Sequence, residues 1–108
     1  MKLKKGSLVR VKTKVELEAD GISPTWDEPY IYSQGCLARI VEVHSKKTKA
    51  YYLLKFDTDT FLKNIRDSGN IFLGLLKHSD IKDCISACER VGYIDEELIL
   101  IRGSYEIE

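Results

Sequence analysis

The sequence predicts a mainly β fold, α+β at the margin: a small, partly open antiparallel barrel with a helix before the last strand. Three observations carry this. Val9 and Val11 alternate with Arg10 and Lys12, the period-two pattern of a strand with one buried face. Two runs rich in branched and aromatic residues, 36–43 and 51–56, flank a lysine-rich turn, as the arms of a hairpin do. A single clear 3.6-residue period occupies 79–91. At 108 residues the chain has the length of one domain, so 1–108 reads as a single unit. With 44% hydrophobic and 31% charged residues and only two prolines, the balance is that of a folded core and excludes disorder over most of the length.

Gly6 to Thr13 form the first predicted strand. Residues 14–34, with Gly21, Pro24, Pro29 and scattered acids, hold no sustained period and read as a long surface loop, of the kind that often carries function. Gly35 opens the second strand, whose apolar parity changes near Arg39-Ile40, which predicts a bulge or bend there. The turn 44–49 leads into the third strand, Tyr51–Phe56, and 57–60 stop it. Phe61, Leu62 and Ile65 fit either a short helix ending near Gly69 or an irregular strand. Ile71–Leu76 is apolar on both parities and reads as a strand buried on both faces. Ser79 is a natural N-cap, Asp80 suits the helix dipole, Ile81, Cys84, Ile85 and Cys88 make one stripe, and Gly92 is the expected C-terminal stop. Glu97–Arg102 is the last strand, with Tyr105 and Ile107 continuing one face.

The pair Gly6-x-Leu8-Val9-Arg10-Val11 and Gly35-x-x-Ala38-x-Ile40-x-x-Val43 resembles the opening two strands of SH3-like small barrels, over about residues 5–57. In particular it is similar to the variable subunit of ferredoxin-thioredoxin reductase and related photosynthetic accessory proteins. That resemblance implies a domain without chemistry of its own, which buttresses or docks onto an enzyme. The helix at 79–91 and the acidic closing segment depart from the small-barrel pattern.

Lys and Arg number 17, as do Asp and Glu, so the whole chain has no electrostatic reason to seek nucleic acid or an acidic membrane. The halves differ: residues 1–55 hold 11 basic against 6 acidic side chains and 56–108 the reverse, which suits two halves that pack together. Cys36, Cys84 and Cys88 are an odd set at unrelated spacings, and no apolar run is long enough for a signal peptide or membrane span, so the expected location is the cytoplasm with reduced thiols.

Chemistry-bearing patterns are few. Cys84 and Cys88 share a helix face, with His78 nearby, but paired C-x-x-C zinc spacing is absent and both thiols lie on the apolar stripe, which predicts core residues and no metal. No positive charge or helix N-terminus sits beside them to activate a thiol. His44 and His78 lie in no nucleophile motif, carboxylate pairs such as Asp57/Asp59 and Glu96/Glu97 are turn and strand-edge residues, and Gly69 and Gly74 build no phosphate-cradling loop. No enzyme activity and no cofactor is expected.

Two surface features remain. Trp26, Asp27, Glu28, Tyr30 and Tyr32 gather on the long loop, and in SH3-like barrels the corresponding loop commonly lines a peptide groove; a tryptophan there suits an interface anchor, or a lid folded on the barrel mouth. Lys46, Lys47, Lys49 and Tyr51 form a basic turn beside an aromatic ring, the pattern of a nucleic-acid-binding small barrel, although strand lysines also guard against edge pairing. The expected function is a non-catalytic protein-interaction domain, an accessory or regulatory subunit of a larger complex that contacts another protein through the Trp26 loop. Nucleic-acid binding through the lysine turn is the alternative, and an inhibitor or immunity-type protein the third.

Overall fold

The alternation around Val9 is realised as a strand. In a computed structural model that describes residues 2–22, 32–67, 78–103 and 105–106, β1 (Lys2–Leu3) is followed by β2 (Leu8–Val11), in which Val9 and Val11 are fully buried while Leu8 and Arg10 face the other side. The two branched runs become β3 (Leu37–Lys46) and β4 (Lys49–Phe56), joined by a tight turn and paired from Ala38↔Phe56 out to Lys46↔Lys49. Their register shifts between Ile40 and Glu42, so Val41 is the extra residue of a bulge. This is the parity change seen in the sequence: one unpaired residue returns the later side chains to their proper faces.

The last strand, β5 (Leu98–Arg102), lies against β2, giving an antiparallel sheet in the order β4-β3-β2-β5. Glu97, expected in that strand, belongs instead to a 3-10 turn (Asp95–Glu97). β6 (Tyr105–Glu106) pairs with β1. The sheet does not close through a β4–β5 ladder among the described residues. Its two edges are nevertheless approached by one short segment, because Tyr93 bridges Tyr52 on β4 and the chain then passes through the 3-10 turn to pair Leu98 with Val11.

Helices add more than the sequence promised, and the fold is α+β. Within the expected loop lies α1 (Lys14–Ala19), started by a capping box in which the Thr13 hydroxyl accepts from the Glu16 N–H and the Glu16 carboxylate accepts from the Thr13 N–H. The pattern Thr-x-x-Glu was present in the sequence, but six residues are too few to show a period. The ambiguous stretch around Phe61 is α2 (Thr58–Asp67), with Phe61 fully buried. α3 (His78–Glu89) carries the expected stripe: Ile85 and Cys88 are buried, and Ile81 and Cys84 pack against the core. Since it begins at His78, Ser79 lies inside the first turn rather than capping it. Gly92 is not in the left-handed conformation of a helix stop; it passes close to β4, where a Cβ would lie 3.3 Å from the Tyr51 Cβ. The expected strand Ile71–Leu76 lies outside the described residues.

The core sits on the inner face of the sheet, where Val9, Ile40, Tyr52 and Leu54 meet Phe61 and Cys88 from the helices, each at 1% exposure or less. Phe56 meets Phe61 and Tyr93 edge to face, at ring-centroid distances of 5.7 and 6.1 Å. Burial of each such side chain stabilises by about 1.5–3 kcal/mol. Polar groups within are paired: the Tyr52 hydroxyl accepts from the Leu3 N–H at 3.0 Å and donates to Asp95 at 2.7 Å, and the Ser33 and Tyr93 hydroxyls share a bond of 2.7 Å. At the other end of the core, Gly103 holds φ 135° and passes so close to Ser7 that a Cβ would lie 3.0 Å from its Cα.

Candidate functional site

Of the loop residues expected to contact a partner, Trp26, Asp27, Glu28 and Tyr30 lie outside the described residues. Tyr32 is described, and it is partly buried and packed against the core. The lysine turn is well placed for contact. Lys46, Lys47 and Lys49 are exposed at the end of the hairpin, and Tyr51, half-buried beside Gly92, lies one step behind them.

A second surface comes from three strands at once. Inward residues leave Leu8, Arg10, Leu37, Arg39, Leu53, Lys55 and Ile99 on the outer face of the sheet, each partly or fully exposed. The Val41 bulge and the bend it gives β3 leave a hollow of about 450 Å³ between Leu8, Leu37, Arg39, Val41, Lys55 and Asp57. Its floor is aliphatic. Its rim carries two cations and one carboxylate: Arg39 stands directly opposite Lys55 in the register, and Asp57 lies at the end of β4. Arg39 donates to the Gly6 carbonyl at 3.1 Å; neither cation belongs to an ion pair among the described residues. No short motif encodes this place, because its residues come from three strands and from Asp57 beyond β4. The signal available was the presence of Leu8 and Leu37 on the parity that should have been polar.

At one end of the outer face Arg10 and Glu16 form a fork, with two N–H···O bonds of 2.7 Å. The Arg10 hydrogen bonds hold the Glu16 carboxyl down to about 2, and the same bonds raise the Arg10 guanidinium. This fork pins α1 to β2 and leaves little basic character there.

The cysteines behave as core thiols: Cys36 and Cys88 are fully buried and none of the three is in a disulfide. Burial pushes the Cys36 thiol up to about 12, reinforced by neighbouring Cys88 and opposed by an Asn64 hydrogen bond. A thiol so held is a poor nucleophile at neutral pH. Burial also raises the Tyr93 hydroxyl, against the pull of its Ser33 bond. His44 is exposed and paired with Glu42 at 3.0 Å. Among the described residues no group of His, Cys, Asp and Glu is placed to hold a metal ion, and no helix is long and apolar enough to cross a membrane. No family model, no curated protein and no solved structure matches the chain.

Proposed function

We propose that the chain is a non-catalytic protein-interaction domain, an accessory or regulatory subunit of a larger complex, which holds an acidic, aliphatic-rich segment of its partner on the outer face of the sheet. The observation that carries this is the hollow over Leu8, Leu37 and Val41 with Arg39 and Lys55 at its rim. Aliphatic floors are filled by apolar side chains, and two opposed cations with no ion pair among the described residues, against the one carboxylate of Asp57, favour carboxylates beside those side chains. The Trp26 loop stays in the proposal as a further contact on the strength of its aromatic and acidic composition. The strand order, the Tyr52–Tyr93 bridge and the 3-10 turn leading to β5 support the reading of the domain as an SH3-like, partly open barrel. Three free thiols, two of them fully buried, suit a reducing compartment such as the cytoplasm.

The test is a titration of isotope-labelled protein with two synthetic peptides, one of leucines flanked by glutamates and one of leucines flanked by lysines. The acidic peptide is expected to shift the amide resonances of Leu8, Leu37, Val41 and Lys55, and Arg39→Glu with Lys55→Glu to weaken it at least about tenfold. Equal binding of both peptides, or shifts elsewhere only, overturns the proposal.

A further inference from the structure

The hairpin end breaks three rules of local stability at once. Lys46 faces Lys49 directly across the strands, an arrangement that is destabilising for like charges. Lys47 turns the corner at φ 59°, a conformation that favours glycine or asparagine. None of the three lysines takes part in an ion pair among the described residues. The segment also stands away from the rest of the sheet. The segment leading into β2 makes its last backbone bonds to β3 at Ile40, through the Gly6 N–H at 2.7 Å and the Ser7 carbonyl at 3.0 Å, so beyond the Val41 bulge β3 is paired with β4 alone.

Residues 44–49 are all exposed, and the register places side chains in ordered steps along one face of this ribbon. Lys46 and Lys49 form the outer step; His44 and Tyr51, also directly opposite each other, form the next, about 6.8 Å inward. Cations at the end with flat rings behind them are what a nucleic-acid strand requires: phosphates meet ammonium groups, and a base meets a ring face. The hollow at the base of the hairpin has an aliphatic floor; the end has none, and a phosphodiester chain has no aliphatic side chain to place in one. The two surfaces therefore call for different partners.

We propose that the projecting end of the β3–β4 hairpin is a binding site for single-stranded nucleic acid, in which Lys46, Lys47 and Lys49 contact the phosphates and Tyr51, with His44 beside it, stacks on a base. Recognition is through the backbone and one ring face, so it is independent of base sequence. The site is separate from the hollow and does not rest on the reading given for it.

Fluorescence anisotropy of labelled oligo-dT and oligo-rU, of about twelve nucleotides, tests it across a salt series. Three phosphate contacts give a slope of log K against log salt of about −2, or roughly twentyfold weaker binding between about 50 and 200 mM. Replacing all three lysines by glutamine is expected to flatten that slope and weaken binding at low salt at least about tenfold. Replacing them by arginine retains the slope, while Lys63→Gln, an exposed lysine on α2, changes nothing. Tyr51→Leu lowers affinity without changing the slope. An unchanged slope in the triple glutamine variant, with its thermal midpoint intact, overturns the proposal. Equally tight binding of duplex DNA or of vesicles containing anionic lipid, insensitive to Tyr51→Leu, overturns the assignment to a single strand.

Discussion

The base and the end of one hairpin follow opposite rules. At the base, Ala38, Ile40, Leu54 and Phe56 are each 5% exposed or less, and β3 is held on both sides, by β2 and by β4. At the end, every residue from 44 to 49 is exposed, like charges oppose each other, and a lysine occupies a left-handed corner. The Val41 bulge separates the two regimes. Above it the inner face stays packed at Tyr52 and Ala50, and burial gives way to exposure only at residues 44–49.

The sharpest way to break the comparison is to empty the base. Leu54→Ala, at a position 1% exposed, is expected to cost about 2–5 kcal/mol in denaturant unfolding, whereas Lys46→Ala should fall within about 0.5 kcal/mol of the parent. Comparable losses at both positions would mean that the end is packed after all. A smaller effect belongs to the polar bond at the hairpin's middle. Tyr52→Phe deprives the Leu3 N–H of its acceptor and Asp95 of a donor, and should destabilise by about 1–3 kcal/mol. Hydrogen exchange at Leu3 should quicken with it; an unchanged rate would show that other bonds hold β1 in place.

Next comes the Arg10–Glu16 fork, a third of whose surface remains in water. Glu16→Gln is expected to cost about 1 kcal/mol, a value tempered by that exposure. The sign with pH follows from a folded-state value held below that of the unfolded chain. The contribution of Glu16 is fully present above about 4.5 and is lost as pH falls toward about 2, so the variant should show a shallower acid limb across that window. An acid limb unaltered in Glu16→Gln would remove the fork from the stability of α1. The smallest effect has the opposite sign. Lys47→Gly relieves the left-handed corner and should raise stability by about 0.5–1 kcal/mol, and by the proposal above it should also weaken oligonucleotide binding. A gain in both would separate the strain from the binding.

The legibility of the sequence divides along the same line. The two arms of the hairpin and the bulge could be read because period two fails at one identifiable place, Arg39-Ile40-Val41. α3 could be read because four apolar residues share its stripe. α1 could not, since its capping box encloses only six residues, and Phe61 with Leu62 and Ile65 was too short a pattern to separate helix from strand. Tyr93 gave no signal at all: a single bridge has no period, and its position depends on where β4 lies. The hollow escaped for a related reason, being assembled from strands distant in sequence, whereas Lys46, Lys47, Lys49 and Tyr51 are neighbours in the chain and were visible as a group.

The pairing of β5 with β2 has a consequence for time rather than for stability. β3 and β4 find each other across a two-residue turn, a search of microseconds, but Val9 meets Leu100 only after nearly the whole chain has been gathered between them. Contacts of that span raise the contact order and slow the crossing of the folding barrier. The hairpin should thus be the early native-like structure in a refolding experiment, its lysines already displayed while β2 and β5 are still apart, and docking of the closing strand should set the observed rate.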